Sequence, residues 1–555
     1  MARKKLVLSL LGLTGVVASG AIALHYFIQT RTEPLLLTLA RVVPQQALTI
    51  GYISTNNQTW NTFTQFALPF DQKAVDNWFK VIDQSILGNT NVSFQKDLLP
   101  LFNGLLVAVL PDHSPQPSSD STILIAAQVK DEVGLLTLQD KLKNQSGNQI
   151  REVKIQEVPV VEIVTPHLNS PEDQNQGTQT TQTNHYVALV NQTVILTNHR
   201  TTMEQAIATT KGSPSLVQRQ GMNNILAHSD FPSPVLIELF IPDYPALVNQ
   251  TQQQLNTIPP LSYPPVQSAI IRMGVVDQEG IRVRVGFTLD AKTANLTYQS
   301  TEGKILDHLP QETFALINGR GVNQLWKMLI NQAKTDSKVS EAVNRIREQF
   351  QSWKLDADQD IFSWMDGEFA LGMISPSQGF LPPLGFGLGV VLETNDRRKT
   401  EATLTALNQV AEQNFLQVKP RNLGGKEVTE WRDANGQSTV LGYGWVNGNT
   451  IFGGIGQPIV EMLAQTPKVS LRKDERFQRV SNSLPSPNGG YVYLNVDSGT
   501  SALMKGLFQP QGGELRPEVK AITNSVRGVG VTFIQPNSLT GQLEAIVSLK
   551  PNVKK

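Results

Sequence analysis

"PQQALTIGYISTNNQTW" runs from Pro44 to Trp60, and "PQETFALINGRGVNQLW" runs from Pro310 to Trp326, 266 residues later. Each reads as a strand that leads into a helix opening near a tryptophan. Five identities in seventeen positions carry little weight alone. A series of further matches in the same order carries more.

"DLLPLFNGLLVAVLP" begins at Asp97 and "DIFSWMDGEFALGMISP" at Asp360, each with a glycine (Gly104, Gly367) seven residues after the aspartate. "YVALVNQTVILTN" from Tyr186 and "LGYGWVNGNTIFGG" from Leu441 both read as strand, tight polar turn, strand. A short helical stretch with an acidic residue, Glu204 or Glu461, comes after each. "PSP" recurs at Pro232 and Pro485, 253 residues apart, before an apolar strand. "RMGVVDQEGIRVRVGF" from Arg272 pairs with "GVGVTFIQPNSLTGQLEAIV" from Gly528. Length differences fall in polar stretches such as Leu168 to Asn184, which composition marks as disordered, and "IPPLSYPP" from Ile258.

The chain therefore reads as one plan written twice, over residues 43–295 and 309–550. In the second copy Val322, Leu325, Trp326, Leu329, Ile330 and Ala333 follow helical spacing; in the first, Val75, Trp78, Phe79, Ile82 and Ile86 do. Two strands, a helix and another strand come next, the β-α-β-β-α-β order of ferredoxin-like units. The expected fold class is α+β: an N-terminal transmembrane helix, then two tandem-duplicated domains, each a mainly antiparallel sheet with helices packed on one face.

The anchor is expected within residues 1–30. Leu6 to Ile28 is 23 residues long and, apart from His25, carries no acidic or basic side chain, enough to span a hydrocarbon core of ~30 Å. Arg3, Lys4 and Lys5 precede it, which places the N-terminus in the cytoplasm and the bulk of the chain across the membrane. A cleaved signal peptide, with Ala21 to Ala23 as its small-residue site, is the competing reading, and a buried soluble helix the third.

Lys plus Arg and Asp plus Glu both total 47 in 555 residues. Zero net charge argues against general nucleic-acid binding, which depends on Lys and Arg neutralising phosphates. Charged residues make up 17% of the chain, below the ~25% of average soluble proteins. No cysteine is present. That excludes disulfides, zinc–thiolate sites, iron–sulfur clusters and cysteine nucleophiles.

The sequence yields no catalytic, cofactor-binding or metal-ligating set. None of the seven histidines lies beyond position 308; His185 and His199 flank a hairpin without a third ligand at recognisable spacing. "DADQD" from Asp356 resembles the start of a calcium loop, but Ile361 and Gly367 stand where that loop needs glycine and glutamate. "GFGLGVV" from Gly385, "GGIGQP" from Gly453 and "GVGV" from Gly528 do not complete a nucleotide-binding fingerprint, and alternating glycines fit close strand packing. Trp60, Trp78, Trp326 and Trp353 read as core residues.

The plan resembles the cyanobacterial domain-of-unknown-function 3352 family (DUF3352). The likeness rests on the N-terminal segment leading into "VVPQQALTIGYIST", on "DIFSWMDGEFALGM" and on "LGYGWVNGNTIFGG". It implies a membrane-anchored protein of a photosynthetic bacterium, facing the periplasm or thylakoid lumen, and carries no established activity, cofactor or catalytic residue. The expected function is a single-pass membrane-anchored, non-enzymatic interaction or scaffold module. A carrier or sensor of an apolar ligand is the alternative, and a hydrolase without a recognisable motif the second.

Overall fold

The computed structural model describes residues 35–63, 65–66, 93–111, 122–143, 149–166, 182–219, 231–247, 266–290, 299–375, 386–497, 520 and 524–552. The expected anchor Leu6 to Ile28 lies outside them, as do the helix expected around Val75 to Ile86 and most of the polar insertion before Gln182.

The first ten strands are β1 (Thr49–Ile53), β2 (Phe102–Leu110), β3 (Thr122–Val129), β4 (Gln149–Ile155), β5 (Val158–Pro166), β6 (Gln182–Val190), β7 (Thr193–Thr197), β8 (Val235–Ile241), β9 (Val266–Val276) and β10 (Gly280–Leu289). The next ten are β11 (Thr313–Arg320), β12 (Glu368–Ile374), β13 (Gly387–Glu393), β14 (Gln417–Leu423), β15 (Lys426–Arg432), β16 (Thr439–Trp445), β17 (Thr450–Ile455), β18 (Tyr491–Asn495), β19 (Val526–Asn537) and β20 (Thr540–Leu549). Among the described residues the α-helices are α1 (Leu35–Ala40), α2 (Asn57–Phe63), α3 (Glu132–Lys143), α4 (Arg200–Thr210), α5 (Val322–Gln332), α6 (Ser337–Ser352), α7 (Arg397–Gln413), α8 (Gln457–Ala464) and α9 (Glu475–Ser481).

The chain divides into two compact units: Met1–Ala47 with Asn89–Asp230, and Leu48–Gly88 with Phe231–Lys555. In the first, strands pair antiparallel in the order β4-β5-β6-β7-β3-β2. Helices α1 and α4 pack on them, burying Leu39, Leu106, Leu124, Ile195, Met203 and Ile207 completely. Gln156-Glu157 and Asn191-Gln192 take positive φ in the two tight turns, the geometry that two-residue hairpins require.

In the second unit the antiparallel order is β1-β8-β9-β10-β20-β19-β18-β11-β12-β13-β17-β16-β15-β14. The order β14-β15-β16-β17-β13-β12 repeats that of the first unit. The orders β1-β8-β9-β10 and β11-β18-β19-β20 also correspond. The two opening stretches make the same local contacts. Pro44 bridges Ser215 and Pro310 bridges Ser470. The amides of Leu216 and Leu471 donate to Val43 and Leu309 carbonyls, both at 2.8 Å.

The structure corrects the expected fold class in three respects. First, strands from both halves of the sequence merge into one sheet, because β10 and β20, each the last strand of its series, pair over nine residues from Gly280↔Ser548 to Thr288↔Thr540. A strand edge carries unpaired backbone groups that another edge can satisfy, and side-chain alternation is silent about which edge does so. Second, helices lie on both faces. Asn408 of α7 bonds the hydroxyl of Tyr443 and the indole of Trp431 on one face. α8 lies on the other, so close that a Cβ on Gly442 would stand 2.8 Å from Val460. Third, α5 and α6 form a two-helix excursion that returns the chain to the end it left, so β12 runs antiparallel to β11 and the ferredoxin-like order does not form.

The membrane expectation is corrected as well. Among the described residues no helix is long and apolar enough to cross a membrane. The longest, α7, has 17 residues and reads RRKTEATLTALNQVAEQ, too short and too charged for hydrocarbon. A single-pass anchor is therefore not supported, nor is the cytoplasmic N-terminus and extracytoplasmic bulk derived from it.

Candidate interaction surface

In the second unit's sheet the buried face combines an apolar cluster that includes Leu316, Ala370, Tyr493 and Ile546 with a ladder of charged residues, and in β10 the charged side is the buried one. "GIRVRVGF" in β10 alternates arginine with valine, which reads as a solvent-facing basic side and a buried apolar one. Instead Arg282 and Arg284 are buried, at 5% and 7% exposure, while Val283 is only half-buried.

The buried side forms a cross-strand ladder. Tyr52, Glu238, Arg272, Arg284, Glu544, Thr532 and Tyr491 stand opposite one another on successive strands β1, β8, β9, β10, β20, β19 and β18. Arg272 Nε donates to Glu238 Oε2 at 2.8 Å, and Arg284 Nε to Glu544 Oε2 at 2.9 Å. Arg282 Nη1 lies 3.2 Å from Glu544 Oε1, and its Nη2 donates to the Ser483 carbonyl at 2.7 Å. Burial lowers the Arg282 pKa, opposed by Glu544 and Glu279. Burial also raises the Glu238 pKa, against the pull of Arg272. Opposite charges are paired across the strands, although Glu238 Oε1, Glu544 Oε1 and Arg282 Nε accept or donate no hydrogen bond. Such an arrangement fixes strand register, because a two-residue slip would leave buried charge unpaired.

A second buried carboxylate, Glu430, is held the same way. Arg421 Nη1 and Arg432 Nη2 donate to its two oxygens at 3.0 and 2.7 Å, and Arg421 reaches on to Glu461 at 2.8 Å. The acidic residue of the earlier short helix, Glu204, pairs instead with Arg200 at 3.1 Å. Carboxylates tied down by guanidinium groups are poor proton shuttles, so neither cluster has the makings of a catalytic pair.

The opposite face of the sheet is apolar. Val283, Ala545, Val531, Val492, Ile317, Leu371 and Val390 form one in-register row across β10, β20, β19, β18, β11, β12 and β13. Val492 and Ile317 are each 51% exposed and Leu371 45%. A second row adds Val285, Leu543 and Phe533, and a third Leu494, Ala315, Met373 and Leu388. Where the third row continues to Val529, Val547 and Ile281, those side chains, like Trp60, lean on a buried cluster that contains Phe66 and Leu236. The sheet's free edge is defended: β14 pairs only with β15 among the described residues and presents Lys419 and Pro420, both exposed.

The chain matches the family described as "Protein of unknown function (DUF3352)" over residues 7–549. It belongs to that family. No curated protein and no solved structure matches it.

In this DUF3352 member the residues singled out in the sequence take structural positions. His185 is half-buried on β6 with its pKa lowered by burial. His199 precedes α4 without a side-chain capping bond. Among the described residues no group of three or more His, Asp or Glu could hold a metal ion. The "DADQD" carboxylates each have partners. Asp356 accepts the amides of Asp358 and Gln359, Asp358 binds Arg347 and the Trp326 indole, and Asp360 accepts the Asp356 amide at 2.8 Å. Asp97 accepts the Ser93 amide at 2.8 Å in the same kind of turn. Trp326 is buried and stacks on Phe362 at 4.3 Å, whereas Trp353 is 36% exposed. Sequence reasoning missed the apolar face. Its signal was present in β11 "TFALINGR", β12 "EFALGMI" and β18 "YVYLN", where apolar residues fall on both alternating positions, as in strands apolar on both sides.

Proposed function

We propose that the chain is a non-enzymatic interaction or scaffold module that docks a protein partner on the apolar face between β10 and β13. One observation carries this: Val492, Ile317 and Leu371, at the centre of the in-register row, are each about half exposed, and no charged side chain interrupts the row. Soluble monomers rarely leave a contiguous apolar patch larger than ~300–600 Å². The recurring strand orders support reading residues 43–295 and 309–550 as two related copies, of which the second contributes most of this face.

The apolar-ligand carrier is the weaker reading. It needs space between helix and sheet, and α8 leaves none at Gly387, where a Cβ would stand 2.4 Å from Ile459. A photo-reactive amino acid placed at Leu371 tests the docking surface in cells. Adducts to a protein from Leu371, but not from Lys419 on the β14 edge, are expected; adducts from neither position would sink the proposal.

A further inference from the structure

We infer that the partner on this face is a second copy of the same chain, held by face-to-face packing of two sheets. The inference rests on the docking-surface reading and names its occupant.

Area is the first argument. Seven strands about 4.8 Å apart, crossed by rows about 6.7 Å apart and partly covered at one end, leave roughly 600 Å² of apolar face. Two such faces bury ~1,200 Å² together, the lower end of the range for specific stable interfaces. Chemistry is the second. The central row presents Val531, Val492, Ile317, Leu371 and Val390 with no charge or hydrogen-bonding side chain among them. A surface of that kind has no polar feature with which to select a foreign partner, and it is complementary to itself. An isologous two-fold contact sets the row against its own copy. Stacked sheets pack about 10 Å apart with interdigitating side chains, which the half-exposed Val, Ile and Leu of this row can supply. Edge-to-edge association is the competing geometry, and Pro420 with Lys419 obstructs it at β14.

Sedimentation velocity on the full chain across a dilution series tests this. A concentration-dependent dimer is expected. Ile317→Glu buries a charge at the contact and should weaken association at least ~100-fold, with the thermal transition retained; Val492→Lys is the second variant should the first not fold. Lys419→Glu on the sheet edge should leave the mass unchanged. The chain has no cysteine, so single cysteines at Val492 or Leu371 report directly: mild oxidation should give disulfide-linked dimers, and a cysteine at the exposed Gln457 on α8, which lies on the other face of the sheet, should not. A dimer that survives Ile317→Glu and Val492→Lys without crosslinking overturns the inference. A monomer at all concentrations, with photo-adducts from Leu371 to a different protein, overturns self-pairing and leaves the docking surface standing. A monomer without such adducts ends both.

Discussion

Arg284 and Glu544 stand directly opposite each other across β10 and β20, 260 residues apart in sequence, with Nε and Oε2 separated by 2.9 Å. Their side chains are 9% and 1% exposed. Two strand series meet at this pair, and Arg282 leans on the same carboxylate. Removing one member of a buried ion pair strands the other. Glu544→Gln is expected to cost about 3 kcal/mol or more in denaturant unfolding. Replacing the group together, as Arg282→Met, Arg284→Met and Glu544→Leu, should return stability to within about 2 kcal/mol of the parent, since apolar residues often substitute for a buried ion cluster without loss. If the single and triple variants are equally unstable, the ladder's role in register is wrong.

α8 approaches the sheet over glycines. A Cβ on Gly442 would meet Val460 Cγ1 at 2.8 Å and Cγ2 at 3.0 Å. Gly442→Ala should therefore destabilise by about 1–3 kcal/mol through overpacking. Val460→Ala should relieve part of that cost, giving a favourable coupling in a double-mutant cycle. Additive losses would show that the helix shifts freely.

Two carboxylates predict opposite pH behaviour. At Asp358 burial opposes ionisation, yet hydrogen bonds from Arg347 and Trp326 together with the Arg347 charge hold its pKa below the ordinary value. A depressed folded pKa gives stability that is present above the unfolded value of about 3.9 and is lost as pH falls through the folded one. Asp358→Asn should accordingly flatten the acid limb of a stability–pH curve below about pH 4. Glu238 is the reverse case, raised by burial. Its contribution is fully present below the unfolded value of about 4.3 and is lost as pH rises through the folded one, so Glu238→Gln should lose less stability than the parent as pH rises above about 4. Unchanged slopes in either variant would refute the assignment.

Turn chemistry supplies a stabilising substitution. The β4–β5 turn holds Gln156 and Glu157 at φ 47° and 66°, where the corresponding β14–β15 turn has Gly424 and Gly425 at 62° and 88°. A left-handed conformation costs a residue with a Cβ ~1–2 kcal/mol. Glu157→Gly should raise the stability of the first unit by about 1 kcal/mol, read as a shifted midpoint in chemical denaturation. A lower midpoint would mean that glycine's unfolded-state entropy outweighs the relief.

Local chemistry made the strands and their turns legible. Alternation, polar turn residues and the repeated Pro-Gln opening are set by φ/ψ preferences and side-chain spacing within a few residues, which a chain carries wherever it folds. The alternating glycines were likewise readable as close-packing features. Two things depended on the folded chain. The pairing of β10 with β20 joins residues 260 apart through backbone groups that every strand edge offers equally, so no local pattern specifies it. The polarity of that sheet is the other. Arg282 and Arg284 are inside and Val283 is partly outside because Glu544 arrives from the far end of the chain to neutralise them. Residue order was enough to set the elements. Which strand edges joined, and where Arg282 and Arg284 found a counter-charge, was settled by strand pairing between residues 260 apart.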